Sequence, residues 1–109
     1  MLRIIGTWLL LTASTLMYAQ TPTDAERLQG YRITGEQVQF IFDENIYGVA
    51  PTRVSVTGAF RSWSTDMDAA EWQLTRQKDY WALSLDNPGY AAIPVQSPFK
   101  FRISEGVWM

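Results

Sequence analysis

Two tryptophans and one lysine are the side chains whose type and spacing indicate binding chemistry. Trp63 follows a glycine break in the stretch VSVTGAFRSWS, and Trp108 follows a Glu-Gly turn in FKFRISEGVW. An exposed indole ring stacks on the C–H face of a sugar, while nearby charged or amide groups bond the sugar hydroxyls. Lys100 lies between two phenylalanines of an alternating strand and is expected to point outward. If the two stretches lie side by side, Trp63, Lys100 and Trp108 flank one shallow surface.

The same residues also have a purely structural interpretation. A lone tryptophan in a loop most often closes the edge of a core, because tryptophan is highly buried on average. Lys100 also fits an ordinary solvated strand position. Trp81 lies in line with two leucines and is predicted to be core, whereas Trp72 is left open between core and surface. Exposure of Trp63 and Trp108 on one face distinguishes binding from structure.

The composition argues against several other kinds of chemistry. The chain has no cysteine and no histidine, so it has no thiol nucleophile, no thiolate ligand and no imidazole base. A net charge of −2 gives no basic footprint for nucleic acid. The acidic residues fall in predicted loops and turns, where carboxylates are usually solvated rather than catalytic. The sequence therefore predicts no catalytic residue, no metal site and no cofactor.

The first 19 residues have the layout of a secretory signal peptide. Arg3 is followed by an uncharged, mostly apolar run at residues 4–16, and Tyr18-Ala19-Gln20 offers a cleavage site after Ala19. A membrane anchor is the alternative, but a bilayer crossing needs about 20 apolar residues. We therefore expect a secreted or periplasmic protein with no membrane association after cleavage.

The rest of the chain is patterned as short strands separated by turn signals. Strands are predicted within residues 31–42 and at 53–57, 72–75, 80–85 and 99–103. No stretch has helical periodicity, so the pattern favours an all-β, antiparallel β-sandwich. Residues 20–35 are predicted to be a flexible leader. A helical turn capped by Thr23 and Glu26 is given little weight there because Gly30 follows at once.

Three motifs together resemble carbohydrate-binding module family 48, which includes the glycogen-binding domain of the AMP-activated protein kinase beta subunit. The motifs are VSVTGAFRSWS, YWALSL and PFKFRISEGVW, and the match covers residues 36–109. The residues that match the family pattern are Gly58, Phe60, Trp63, Trp81, Phe99, Lys100, Phe101, Gly106 and Trp108.

The resemblance implies an immunoglobulin-like, early-set sandwich at residues 36–109 and a non-catalytic module that binds an α-glucan of the glycogen or starch type. It implies that Trp63, Lys100 and Trp108 contact the sugar. Family members continue into a further strand that supplies an Asn or Thr. We therefore expect a C-terminally truncated module, with a downstream glycoside hydrolase or esterase domain in the same exported chain. The alternative is a structural N-terminal spacer that packs on such a domain without binding sugar.

Overall fold

The computed structural model describes residues 20–109, and the predicted signal peptide at residues 1–19 lies outside the described residues. The strands are β1 (Tyr31–Thr34), β2 (Gln37–Phe42), β3 (Val54–Gly58), β4 (Thr75–Arg76), β5 (Trp81–Asp86), β6 (Phe99–Ile103) and β7 (Val107–Trp108). The helices are α1 (Asp24–Gln29) and α2 (Glu44–Tyr47), with 3-10 turns at Ala59–Arg61, Ala70–Trp72 and Pro88–Tyr90. Within this range no helix has the length and apolar character that a bilayer crossing requires.

The strands form two antiparallel sheets. The first sheet has the order β1-β2-β5-β4, and the second sheet has the order β3-β6-β7. Every strand pair is antiparallel. The helices are short and lie outside the sheets, so the prediction of an all-β fold is confirmed.

The two sheets face each other across one hydrophobic core. On β2 the alternating residues Val38, Phe40 and Phe42 are 6%, 2% and 0% exposed, as their period-2 spacing predicts. From the second sheet, Phe101 meets Phe42 edge-on with ring centroids 5.2 Å apart, and Phe99 meets Phe40 at 5.1 Å. Each such pair contributes about 0.5–1.5 kcal/mol beyond the area it buries.

The segment at residues 20–35 differs from the prediction of a flexible leader, because it forms α1 and β1. The Thr23 hydroxyl accepts the Glu26 N–H, and the Glu26 carboxylate accepts the Thr23 N–H, so the capping box forms. Gly30 adopts a left-handed conformation with φ 87° and ends the helix as its C-cap. Strand β1 then pairs residue for residue with β2. The glycine that argued against a helix is thus the residue that terminates one.

Helix α1 is also attached to the rest of the molecule by its arginine. Arg27 bonds the Asp43 carboxylate at 3.1 Å and the Asp79 carboxylate at 3.3 Å. Its guanidinium lies 5.0 Å from the centroid of the Tyr80 ring. Burial is the largest single influence on the pKa of Arg27, and it acts to lower that pKa. The hydrogen bonds to the two carboxylates and their negative charges together outweigh burial, so the pKa of Arg27 is raised.

The predicted strand at residues 72–75 is shifted toward the C-terminus. A 3-10 turn occupies Ala70–Trp72, Gln73 makes an isolated antiparallel bridge to Ser55, and the regular pairing with β5 begins at Thr75. Trp72, which the sequence left open, packs partly buried against the core.

Candidate functional site

Trp63 is presented by a sharp turn at the end of β3. A Cβ at Gly58 would collide with the Pro98 carbonyl oxygen, so only glycine lets these two segments pass so closely. The next aromatic, Phe60, turns inward and packs against Phe40 and Trp72, with ring centroids 5.8 and 5.3 Å apart. The spacing Phe-x-x-Trp therefore sends one ring into the core and the next ring out.

The backbone around Trp63 is held in an uncommon conformation. Ser62 and Trp63 have φ values of 51° and 55°, in the left-handed region that costs a non-glycine residue about 1–3 kcal/mol. The Trp63 N–H donates to the Gly58 carbonyl at 2.9 Å and fixes the turn. Trp63 is 42% exposed, so a large part of it is open to solvent.

Trp108 and Lys100 lie on the outer face of the second sheet, the face turned away from the core. Trp108 on β7 is paired with Arg102 on β6, and Lys100 is two residues before Arg102 on the same strand. Directly opposed residues share a face, so the three side chains point to one side. Lys100 and Trp108 are diagonal neighbours, with Cα atoms about 7–8 Å apart. Trp108 is 42% exposed, and Lys100 is exposed as its alternation predicts.

The loop that carries Trp63 joins this face next to Lys100. Thr57 is paired with Lys100, and the loop starts immediately after β3. Farther along the loop, the Thr65 carbonyl accepts a hydrogen bond of 2.9 Å from Arg102. The segments carrying Trp63, Lys100 and Trp108 therefore meet on one side of the second sheet. That these side chains contact a sugar stays a prediction. We call these three residues the tryptophan surface.

Two polar groups, one on the tryptophan surface and one buried beneath it, have no hydrogen-bond partner within residues 20–109. Within residues 20–109 the Lys100 ammonium makes no salt bridge and no hydrogen bond, so its donors face solvent. Thr57 is 1% exposed, and its hydroxyl has no partner in the described part of the chain. A buried hydroxyl without a partner costs about 1–3 kcal/mol. Sequence reasoning missed this group, because a threonine on an outward-facing strand position ordinarily reaches water.

A concave region lies at the edge of the first sheet. It is a cavity of about 250 Å³ between β1, β2 and the segment 87–99. Apolar side chains dominate its wall, among them Ile33, Tyr90, Ile93 and Val95. The strand and turn patterns of the sequence predict no cavity in this region. We call it the groove.

One buried amide gives the groove its shape. The Asn87 Oδ1 accepts the N–H groups of Ala92 and Ile93 at 3.1 and 2.9 Å, and its Nδ2 donates to the Ile93 carbonyl at 2.9 Å. These bonds fold the segment back over the core and bury Ile93. The sequence Asn-Pro-Gly predicts a turn at this point. That the Asn87 side chain shapes a groove could not be predicted, because the groove exists only when the folded segment packs against the first sheet.

The Glu44 carboxylate has a shifted pKa, and its contacts stabilise the fold. Glu44 Oε1 accepts hydrogen bonds from the Trp81 indole at 3.0 Å and from Arg76 at 2.7 Å, and these bonds hold the pKa of Glu44 below its usual range. They attach α2 to the first sheet. No cluster of three or more metal-ligating side chains occurs among residues 20–109.

Comparison with protein-family models gives no match for this chain, and no curated protein matches it either. The resemblance carried by the glycine, phenylalanine and tryptophan pattern therefore stays a prediction from sequence. Function has to be argued from the geometry of the tryptophan surface and the groove.

Proposed function

We propose that residues 20–109 form a non-catalytic α-glucan-binding module with an immunoglobulin-like, early-set β-sandwich fold. Its sugar contacts are Trp63, Lys100 and Trp108. The observation that carries the proposal is the equal exposure, 42%, of two indole rings on segments that meet beside an unpaired lysine. A fully buried core residue would not be left in this state, and exposed tryptophans are uncommon on a solvated surface.

The chemistry of this surface suits a neutral sugar. Each glucose unit presents an apolar C–H face that an indole covers, and a rim of hydroxyls that accept from the Lys100 ammonium. Both residues are 42% exposed, and contact of one chain of several glucose units with both rings is part of the proposal. The α-linkage comes from the resemblance to the module family. In the exported protein, the module would deliver a downstream glycoside hydrolase or esterase domain to its polymer.

A structural spacer is the second candidate, and the groove favours it. Ile33, Tyr90 and Val95 are 53%, 47% and 64% exposed around an apolar concavity. Exposed apolar side chains in one patch are typical of surfaces that pack on another domain. In this reading, the module docks through the groove on a catalytic domain, and the tryptophan surface has no ligand.

The test is a titration of the purified protein with maltoheptaose, followed by tryptophan fluorescence and by calorimetry. We expect saturable binding that weakens about tenfold or more in Trp63→Ala and in Trp108→Ala, because central aromatic anchors dominate such contacts. Lys100→Gln should weaken binding by a smaller factor.

Matched controls are available in the same chain. Tyr90→Ala removes an aromatic side chain of similar exposure from the groove, and Lys78→Gln removes an exposed lysine from a turn of the first sheet. Neither should change the affinity. Cellohexaose, whose glucose units are β-linked, tests whether binding requires the α-linkage. If the folded wild-type protein gives no saturable signal with maltoheptaose, the binding proposal is rejected in favour of the spacer.

A further inference from the structure

Arg102 joins three segments of the tryptophan surface. It lies on β6, and its Nε donates to the Gly106 carbonyl at 3.0 Å. Its Nη1 donates to the Thr65 carbonyl at 2.9 Å, in the loop that carries Trp63. Its Cζ lies 4.9 Å from the centroid of the Trp108 ring. One guanidinium thus contacts the strand turn, the loop and the second indole.

Gly106 leaves the space that the guanidinium occupies. A Cβ at Gly106 would lie 2.8 Å from the Arg102 Nη2 and 3.1 Å from its Nε. Gly106 also has φ 103°, a conformation that side chains rarely adopt. The turn before Trp108 and the position of Arg102 therefore depend on the same glycine.

We propose that Arg102 is a positioning residue that holds Trp108 and the Trp63 loop in fixed relation, so that both rings are set for one ligand before it arrives. A guanidinium suits this role because its donors lie in a rigid plane, and the face of that plane stacks on an aromatic ring. The Arg102 guanidinium lies over one face of the Trp108 ring, with its Cζ 4.9 Å from the ring centroid.

Arg102 and Lys100 share a strand face but have different roles. Two of the Arg102 nitrogen atoms are used by backbone carbonyls, whereas Lys100 has no partner within residues 20–109. Lys100 is therefore the cation that reaches a ligand, and Arg102 acts through Trp108 and the loop. In its effect on sugar binding, this inference rests on the proposed function.

The first measurement needs no sugar. In the ¹⁵N-labelled protein, we compare the heteronuclear NOE of the indole N–H groups of Trp63, Trp108 and Trp81, since this quantity falls when a group moves on the nanosecond scale. In Arg102→Lys we expect the value to fall for Trp63 and Trp108 and to stay constant for Trp81, which is bonded to Glu44. Unchanged values for Trp63 and Trp108 would overturn the proposal.

Arg32→Lys is the matched control. Like Arg102, Arg32 donates two hydrogen bonds, one to the Gln39 side chain and one to the Gln20 carbonyl. Unlike Arg102, it lies on the first sheet. It should leave the indoles of Trp63 and Trp108 unaffected. A fall at those two indoles in the control equal to that in Arg102→Lys would show a general loss of structure and overturn the specific role.

The wild-type protein provides a measurement that does not depend on the folding of a variant. The Arg102 Nε–H donates to a backbone carbonyl, so its exchange with solvent should be much slower than that of an arginine in a free peptide. Exchange as fast as in the peptide would contradict the bond to Gly106 and the proposal with it.

The last measurement connects Arg102 to binding. Loss of preorganisation should weaken maltoheptaose binding in Arg102→Lys by about 2- to 10-fold, and the same substitution should have a smaller effect in a Trp108→Ala background, where only the Trp63 loop is left for Arg102 to hold. Equal affinity in wild type and Arg102→Lys would overturn the inference. If the wild-type protein binds no glucan, the proposed function fails, while the NOE and exchange results still decide the role of Arg102.

Discussion

The tryptophan surface and the groove both expose large apolar side chains, yet they differ in the polar groups around them. Trp63 and Trp108 are 42% exposed, and Tyr90 in the groove is 47% exposed. Beside the two tryptophans lies Lys100, whose donors have no partner within residues 20–109. In the groove the buried amide of Asn87 makes three hydrogen bonds to the backbone of its own loop.

Exposure of an aromatic ring is therefore a weak sign of ligand binding when taken alone. A sugar needs a flat ring and a free hydrogen-bonding group within reach of its hydroxyls. The tryptophan surface has both, whereas the wall of the groove is mostly apolar and its buried amide, Asn87, is already bonded to the backbone of its own loop. An apolar wall of that kind suits a packed neighbour better than a soluble sugar.

The largest effect that separates the two regions is expected from Asn87→Ala. The substitution leaves the N–H groups of Ala92 and Ile93 and the Ile93 carbonyl without their partner, so it should destabilise the protein by about 2–3 kcal/mol. Urea unfolding measures this loss, and maltoheptaose affinity should not change below the transition.

Asn45→Ala is the control for Asn87→Ala, because Asn45 is exposed. It should alter stability by less than about 0.5 kcal/mol. A clear loss of glucan affinity in folded Asn87→Ala would mean that the groove and the tryptophan surface are coupled, and the distinction between them would be wrong.

Much of the sheet structure was predictable because strand alternation is a local pattern. Val38, Phe40 and Phe42 alternate in the sequence and are buried together, and Phe101 on β6 follows the same rule. The capping box of helix α1 is a local signal, but Gly30 directly after it weighs against a helix in the sequence pattern, whereas in the structure Gly30 is the residue that ends the helix. A four-residue strand such as β1 has too short a pattern to be recognised.

The candidate site was predictable only in part. The outward position of Lys100 follows from strand alternation, whereas the sequence pattern leaves the exposure of Trp63 and Trp108 open. Arg102 carried no signal, because its role depends on the pairing with Trp108 and on the approach of the Thr65 carbonyl, 37 residues away. The register between strands and the path of a loop are set by the folded core, which a single sequence does not show.

A smaller difference in stability should appear in acid, at the contact between α2 and the first sheet. Hydrogen bonds from Trp81 and Arg76 lower the pKa of Glu44 in the folded state below its ordinary value of 4.5. A lowered folded pKa means that the stabilisation is complete above the unfolded value and is lost as the pH falls through the folded value. Urea midpoints should therefore decline below about pH 4.5, and less steeply in Glu44→Gln than in wild type.

Glu71→Gln is the control for the acid effect, because Glu71 is exposed. The urea midpoint of Glu71→Gln should decline in acid as steeply as that of the wild type. Should Glu44→Gln lose stability in acid as steeply as the wild type, the Glu44 bonds do not determine the acid behaviour of this region.

The smallest effect concerns the unpaired hydroxyl beneath the tryptophan surface. Thr57→Val keeps the shape of the side chain and removes a buried hydroxyl that has no partner within residues 20–109, so it should stabilise the protein by about 0.5–1 kcal/mol. Thr34→Val, at an exposed position of β1, should be nearly neutral. Thermal unfolding compares the two variants. A loss of stability or of maltoheptaose affinity in Thr57→Val would show that the hydroxyl has a partner in solution, and would add Thr57 to the tryptophan surface.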